Sequence, residues 1–137
     1  MEEELIKRTY ELIQTSIKDK IEKSNGILLS GGIDSSLIAS ILTNLCPSCQ
    51  NVAINVHYGS YSELENARRV AEYLRIKLIE AKIPLESYEI YKLLKKSISF
   101  LDEPNARGNV IGRYYALKEL RRHTNTAFLG EGGIDGV

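Results

Sequence analysis

Four short apolar runs alternate with longer segments of helical periodicity, and this alternation constrains the fold more than any other feature of the chain. The runs have the length of buried strands and cover residues 25–31, 51–59, 76–83 and 126–130. Strands that alternate with helices predict a parallel sheet with helices on both faces, joined by right-handed crossovers. The sequence therefore predicts a doubly wound α/β fold.

The segments between the runs carry the patterns of amphipathic helices. In the first two dozen residues, apolar side chains recur every three or four positions, at Ile6, Tyr10, Ile13, Ile17 and Ile21. A second helix is predicted to end near Leu45, and the S-x-x-E spacing of Ser62 and Glu65 predicts the start of a third. Residues 87–101 and 110–122 are predicted to be helical as well.

The length and charge of the chain narrow the classes of function. With 137 residues, of which 43% are hydrophobic, the chain is sized for one domain with its own core. Eighteen basic residues balance eighteen acidic ones, so nucleic-acid binding lacks its usual electrostatic support and is not expected. No apolar run reaches the length of about 18 residues that a membrane span needs, and the acidic start MEEEL does not resemble a signal peptide. We therefore expect a cytoplasmic protein without a membrane span.

The two cysteines stand in the motif CPSC, as Cys46 and Cys49. We expect this motif to be an ordinary helix-to-strand connection, in which Pro47 stops the helix and the thiols stay reduced. A dithiol switch or half of a zinc site stays open as an alternative. The two histidines, His57 and His123, are not spaced as the missing zinc ligands.

The segment SGGIDSS, residues 30–36, lies between the first predicted strand and the second predicted helix. Gly31 and Gly32 allow a tight turn and a close approach of the backbone to a ligand. Asp34 and Ser35 follow at the point where a helix presents unpaired N–H groups and the positive end of its dipole. The segment therefore predicts an anion site, with phosphate as the anion, whereas a plain turn with Asp34 as N-cap is the alternative.

Two further strand ends carry small or polar residues, in the segments HYGS and GEGGIDG. Ligands of open parallel sheets bind outside the carboxyl ends of the strands, so we expect these segments to converge with SGGIDSS. At the second strand end, His57 and Tyr58 could flank a ribose or could be satisfied by local hydrogen bonds. Arg113 could bind a carboxylate or phosphate, or could be a solvated surface residue.

The segment SGGIDSS resembles the SGGxDS loop of the N-type ATP pyrophosphatases, also called PP-loop enzymes. Within that superfamily the chain is most similar to the synthetase domain of the asparagine synthetase family. The similarity extends to FLDEP at residues 100–104 and to FLGEGGIDG at residues 128–136. The resemblance implies the adenine nucleotide alpha hydrolase-like fold of the PP-loop ATPases.

The resemblance also implies a reaction and its cofactors. Enzymes of this group bind ATP with Mg²⁺, and a carboxylate-type substrate attacks the α-phosphorus to form an adenylate. Pyrophosphate leaves, and an amine then displaces AMP to form the amide. The resemblance thus implies an ATP-dependent carbon–nitrogen ligase that acts on a small carboxylate substrate.

Carried over to this sequence, the family motifs imply three sets of site residues. The implied nucleotide-binding residues are Leu29, Ser30, Gly31, Gly32, Asp34, Ser35, Ser36, Val56, Gly130 and Glu131. The implied catalytic residues are Asp34 and Ser35, and the implied Mg²⁺ ligands are Asp34 and Asp135. The family pattern G-x-D-E is altered here to GIDG at residues 133–136, so a solvated turn stays open as the alternative for Glu131 and Asp135.

Compared with the family, residues 1–137 look like a single ATP-pyrophosphatase domain without the C-terminal helical part and without the glutaminase domain. We therefore expect a separate ammonia-supplying subunit or free ammonia, and a homo-oligomer that buries the apolar surface around Tyr91, Leu94, Tyr114 and Tyr115. Two alternatives stay open. One is a nucleotide-binding module or subunit without catalysis of its own, and the other is a PP-loop enzyme of tRNA thiolation, which the neutral charge disfavours.

Overall fold

The computed structural model describes residues 1–59, 62–101 and 110–130. Five helices and four strands alternate along this part of the chain: α1 Glu2–Lys18, β1 Ser24–Leu28, α2 Ile33–Leu45, β2 Gln50–His57, α3 Ser62–Leu74, β3 Lys77–Lys82, α4 Ser87–Ile98, α5 Val110–Leu120 and β4 Thr126–Phe128. All four strands predicted from the apolar runs are present, and each begins within one residue of its predicted start.

The four strands form one parallel sheet in the order β3-β2-β1-β4. The chain runs outward from β1 to β2 and β3, and then returns to place β4 on the other side of β1. The strand order therefore reverses between β1 and β4, and a crevice at such a switch point is where doubly wound sheets bind their ligands. The predicted parallel α/β sheet is confirmed.

Helices cover both faces of the sheet because the inner strands alternate their buried side chains between two cores. Ile27 and Ala53 pack with buried residues of α1, α2 and α3. Val52 and Ile54 point to the opposite face and pack with Ala81 and residues of α5, and α4 packs against α5. The period of two along each strand thus produces the two-layer covering that the sequence predicted.

The apolar stripe of α1 is only partly buried. The predicted amphipathic helix is present, with Ile17 buried and Ile13 packed against the core, but Ile6 and Tyr10 remain 63% and 39% exposed. The reason is length, because 17-residue α1 is about 26 Å long while 13-residue α2, on which it packs, is about 20 Å long.

In the described segments, no helix is both long enough and apolar enough to span a bilayer.

Two asparagine side chains join the amino ends of β1 and β2. Asn25 is fully buried; its Oδ1 accepts from the Glu22 N–H at 2.9 Å, and its Nδ2 donates to the Glu22 carbonyl at 2.8 Å and to Asn51 Oδ1 at 3.1 Å. Asn51 Nδ2 in turn donates to the Cys46 carbonyl at 3.3 Å. This network stabilises the register in which Asn25 pairs with Asn51.

The cysteines of the CPSC motif form a disulfide, so the expectation of reduced thiols is wrong. Cys46 is the C-cap of α2, and the Cys49 N–H donates to the Cys46 carbonyl at 3.2 Å across the turn made by Pro47 and Ser48. This turn brings the two Cα atoms to 5.3 Å, within the range that a disulfide needs.

Candidate functional site

A cavity of about 280 Å³ lies at the carboxyl ends of the strands, beside the switch point of the sheet. It is bounded by the turn between β1 and α2, by the ends of β2 and β4, and by one side of α5. Its lining residues are Leu28, Leu29, Ser30, Gly32, Ile33, Asp34, Ser35, Ile54, Asn55, Val56, His57, Tyr58, Glu63, Gly112, Arg113, Ala116, Leu129 and Gly130. The strand ends expected to converge therefore do so, as far as they are described.

The turn into α2 is shaped by a glycine that packs away from the cavity. Gly31 has φ +83°, a conformation that side chains rarely adopt, and a Cβ atom there would lie 2.6 Å from backbone atoms of Asn66 and Ala67 in α3. Gly31 is not among the cavity-lining residues. Its structural role is thus to let the turn lie directly against α3, which positions the start of α2 at the cavity.

The first turn of α2 points its amino end into the cavity. Gly32 is the N-cap, and the Ser36 N–H donates to its carbonyl at 3.0 Å, so the helical bonds begin there. The N–H groups before Ser36 have no carbonyl available one turn earlier in the helix. Together with the helix dipole, they make this end of α2 favourable for an anion. Asp34 lies in the same turn and is exposed.

Two serine hydroxyls lie side by side at the cavity wall. Ser30 Oγ and Ser35 Oγ are 3.0 Å apart, and Ser35 Oγ also donates to the Gly32 carbonyl at 3.2 Å. The Gly32 N–H donates to Ser30 Oγ at 3.2 Å. Ser30 is exposed, whereas Ser35 is only 7% exposed. These bonds hold both hydroxyls at the helix start, where rotation of each hydroxyl would let it donate to a bound anion instead.

Gly130, just beyond β4, allows that strand to approach α2 closely. A Cβ atom at Gly130 would lie 2.9 Å from the Ser35 nitrogen and 3.1 Å from the Asp34 carbonyl carbon. The close approach visible here is therefore between two backbone segments that line the cavity. An approach of Gly130 to a nucleotide, as the family resemblance implies, stays a prediction.

Asn55 is a site residue that the sequence analysis missed. It lines the cavity from β2, is 3% exposed, and donates from Nδ2 to the Leu29 carbonyl at 2.9 Å. Its Oδ1 atom is buried and has no hydrogen-bond partner among the described residues. A signal was present in the sequence, because one amide side chain stands in the otherwise apolar run Val52 to Val56.

Several charged or titratable side chains also line the cavity. Asp34 and Glu63 contribute carboxylates, Arg113 contributes a cation, and His57 accepts from the Gly59 N–H through Nδ1 at 3.3 Å. The described residues contain no group of three or more His, Cys, Asp and Glu side chains that could enclose a metal.

The ion pair between α3 and β3 lies on the outer surface. Arg68 donates two bonds of 2.7 Å to the Glu80 carboxylate. The hydrogen bond from Arg68 is the main reason why the pKa of Glu80 is lowered, and the charges of Arg68 and His57 act in the same direction. Both side chains are more than a third exposed, so solvent screens the pair.

Ser36 faces a different part of the surface from the other residues of its loop. It lines an apolar groove of about 490 Å³ between α2 and α3, together with exposed Ile33 and Tyr73. Within the described part of the chain its buried hydroxyl has no hydrogen-bond partner. The structure thus separates Ser36 from the cavity that Ser30 and Ser35 line.

Most of the predicted nucleotide-binding residues that the structure describes line one cavity: Leu29, Ser30, Gly32, Asp34, Ser35, Val56 and Gly130. Gly31 lies behind them against α3, and Ser36 lies in the groove. The predicted residues Glu131 and Asp135 fall outside the described residues.

Comparison with curated proteins shows similarity along almost the whole chain. The chain is 32% identical over 133 residues to the glutamine-hydrolyzing asparagine synthetase 1 of Bacillus subtilis, covering 96% of this chain and 21% of that protein. It is 24% identical over 123 residues to the glutamine-hydrolyzing GMP synthase of Campylobacter fetus, covering 87% of this chain and 23% of that protein. The chain therefore spans about a fifth of the length of these relatives.

Solved structures share the fold at low sequence identity. The NMN synthetase of Francisella tularensis superposes with a TM-score of 0.61 at 18% identity, over 88% of this chain and 52% of that one. The glutamine-dependent NAD⁺ synthetase of Acinetobacter baumannii, solved with ADP, superposes with a TM-score of 0.57 at 20% identity. The match covers 86% of this chain and 24% of that one. The fold is thus that of the PP-loop synthetases, as the SGGIDSS motif predicted.

The family model of asparagine synthase matches residues 9–134, from within α1 to beyond β4. This range contains the whole sheet and every element that lines the cavity. The loop that begins α2, the sheet order and the sequence similarity agree, and the chain belongs to the asparagine synthase family.

Proposed function

We propose that the chain binds ATP in the cavity at the carboxyl ends of β1, β2 and β4 and activates a small carboxylate for amide formation. The observation that carries the proposal is the loop of residues 30–36, which brings a helix N-terminus, two hydroxyls and Asp34 to one wall of the cavity. A carboxylate oxygen would attack the α-phosphorus, the bond to pyrophosphate would break, and an amine would then displace AMP. The chain would act as an ATP-dependent carbon–nitrogen ligase of the asparagine synthetase type.

We assign the pyrophosphate part of ATP to the start of α2. The unpaired N–H groups of the first helical turn favour an anion, and Ser30 and Ser35 add hydroxyl donors beside them. Negative charge grows on the leaving pyrophosphate as the α–β bond breaks, so donors already positioned there stabilise the transition state. This is the catalytic role that we propose for Ser35, whose hydroxyl would turn from the Gly32 carbonyl to the pyrophosphate.

Asp34 supports the proposal that Mg²⁺ binds with the nucleotide. A carboxylate in the same helical turn as the phosphate site would repel the triphosphate unless a cation lay between them. One or two carboxylates with phosphate oxygens and water suit Mg²⁺, so Asp34 fits this role without a larger cluster. We propose Asp135 as the second ligand. When bound, Mg²⁺ would neutralise phosphate charge.

We assign the nucleoside to the part of the cavity between β1 and β2. Leu29 and Val56 line it there and offer apolar surface for a base or ribose. Gly130 and Glu131 would contact the nucleotide from the end of β4. The size of the cavity, about 280 Å³, lies just below the usual range for small-molecule sites, which begins at about 300 Å³.

We also propose how the reaction is supplied and where it occurs. The amine would arrive as ammonia from a separate subunit or domain, in line with relatives that hydrolyse glutamine and are about five times longer. The apolar surface near Tyr91, which is 61% exposed, would be covered by a second copy. The proposed compartment is the cytoplasm, where ATP is plentiful and where the Cys46–Cys49 disulfide would be exposed to cellular reductants.

The Cys46–Cys49 pair takes no part in the proposed reaction. It lies at the carboxyl end of α2, whereas the cavity lies at the amino end. A 13-residue helix separates the two by about 20 Å. This distance is an observation against sulfur-transfer chemistry in which the cysteines would act on a nucleotide-activated substrate.

Product analysis tests the proposed function. With ATP labelled at the α- and γ-phosphates, aspartate and ammonia, we expect labelled AMP and pyrophosphate. Asp34→Asn should abolish both products, whereas Asp19→Asn, at the exposed C-cap of α1 and not in the cavity lining, should not. ADP and inorganic phosphate as products would contradict the proposal. Binding of ATP without turnover would favour a nucleotide-binding module instead.

A further inference from the structure

The side chain of Asn55 uses its amide nitrogen but not its amide oxygen in hydrogen bonds within the described part of the chain. Its Nδ2 donates to the Leu29 carbonyl at 2.9 Å, while its Oδ1 is buried and has no hydrogen-bond partner in the described part of the chain. Bulk water does not reach Oδ1, because the residue is 3% exposed and the atom itself is buried. The residue nevertheless lines the cavity proposed for ATP.

The two other asparagines of β1 and β2 differ from Asn55, because their amide oxygens have hydrogen-bond partners. Asn25 uses both its carbonyl and its amide in hydrogen bonds, and so does Asn51. A buried acceptor without a partner is costly, and such groups are rare in folded proteins. Neither described protein groups nor bulk water satisfy Asn55 Oδ1, and a ligand in the adjoining cavity would be a source of the missing donor.

The hydrogen bond from Nδ2 fixes where Oδ1 points. Pairing between β1 and β2 ends at Leu28 and Ile54, and the Asn55 side chain then bonds to the carbonyl of Leu29, the next residue of the chain. The amide group is planar, so holding Nδ2 on this carbonyl also holds Oδ1 in place. An acceptor held in this way is preorganised for a donor, which strengthens discrimination between ligands.

The chemistry of ATP restricts which of its groups can meet this acceptor. The ionised triphosphate carries only acceptors, so it cannot donate to Oδ1. The donors of ATP belong to the nucleoside, namely the 6-amino group of adenine and the two ribose hydroxyls. Asn55 also lies between Leu29 and Val56, the residues that we assign to the nucleoside.

We propose that Asn55 is a specificity-determining residue that selects the nucleoside part of ATP, with Oδ1 accepting a hydrogen bond from the 6-amino group or a ribose hydroxyl. The inference rests on the proposed function, because it requires ATP in this cavity. Asn55 Oδ1 would be the group of this chain that distinguishes ATP from analogues that lack one hydrogen-bond donor. An analogue without the matching donor leaves the acceptor unpaired, which costs roughly tenfold in affinity.

Competition binding against four nucleotides tests the assignment. The dissociation constants of ATP, ITP, 2′-deoxy-ATP and 3′-deoxy-ATP are measured for the wild type, Asn55→Leu and Asn55→Ser, with far-UV circular dichroism to verify folding. We expect the wild type to bind one analogue about tenfold more weakly than ATP, and this ratio to fall close to one in both Asn55 variants. The analogue that is discriminated identifies the donor.

Asn51→Leu is the matched control, since it removes an amide from the same strand at the end far from the cavity. This variant should lose stability but keep the wild-type ratio between ATP and the analogue. A ratio that stays unchanged in both Asn55 variants, or affinities that fall equally for all four nucleotides, would overturn the assignment. If the wild type binds none of the four nucleotides, the proposed function itself fails, and this result is visible before any variant is compared.

Discussion

Replacing Gly31 with alanine should destabilise the fold in two separable ways. The residue has φ +83°, so a side chain introduces backbone strain, and its Cβ would lie 2.6 Å from backbone atoms of Asn66 and Ala67. Gly59 offers a matched control, because it has φ +103° but a Cβ there would meet nothing within 4 Å among the described residues. Both alanine variants would therefore have a strained backbone, but only Gly31→Ala would also clash with α3.

The magnitudes follow from this difference. A residue held at positive φ costs about 1 to 3 kcal/mol, which both alanine variants incur. The Cβ at Gly31 is about 0.8 Å closer than ordinary van der Waals contact at 3.4 Å, and the atoms it meets belong to a helix backbone. Forcing α3 aside adds about 1 to 3 kcal/mol, as other overpacked sites do. For a domain of this size, that addition lowers the Tm by roughly 3 to 10 °C.

Urea unfolding followed by circular dichroism measures both variants against the wild type. We expect Gly31→Ala to lose about 1 to 3 kcal/mol more than Gly59→Ala. We also expect Gly31→Ala to weaken ATP binding, because moving the turn moves the start of α2. Equal losses of stability in the two variants would refute the argument that the turn is held by its contact with α3.

Three further perturbations have expected effects on ATP affinity or on stability. Gly130→Ala should lower ATP affinity about tenfold or more in calorimetry, because the added Cβ would lie 2.9 Å from the first turn of α2. Arg68→Ala should cost less than about 1 kcal/mol of stability at pH 7. Because the pKa of Glu80 is lowered in the folded state, this contribution is present above pH about 4.3 and should vanish in urea titrations as the pH falls through the folded-state pKa. Reducing Cys46–Cys49 should cost at most about 2 kcal/mol, since the loop closes only four residues, and should leave ATP affinity unchanged.

The elements of the fold were predictable because their signals are local. The run of residues 51–59 is apolar over the length of one strand, and β2 occupies Gln50–His57. The SGGIDSS motif predicted a turn into a helix, and α2 begins at Ile33. The family resemblance then identified the cavity residues, because the motif places them on strand ends that meet at one edge of the sheet.

Other features depend on contacts that the sequence does not encode locally. Gly31 could face a ligand or a helix with equal ease, and only the position of α3 decides the matter. The exposure of Ile6 follows from the relative lengths of α1 and α2. The sequence marks Asn55 as one amide in an apolar run, but its candidacy as a functional residue depends on what surrounds its two amide atoms.

The central claim is that the loop of residues 30–36 holds the phosphates of ATP, and titration calorimetry with MgATP tests it most directly. The wild type should bind, whereas Asp34→Ala and Gly32→Val should not, since the first removes the carboxylate proposed for Mg²⁺. The second crowds the Ser30 hydroxyl, which lies 3.3 Å from the position of a Cβ at Gly32. Circular dichroism should show that both variants remain folded. Unchanged affinity in both folded variants would contradict the account.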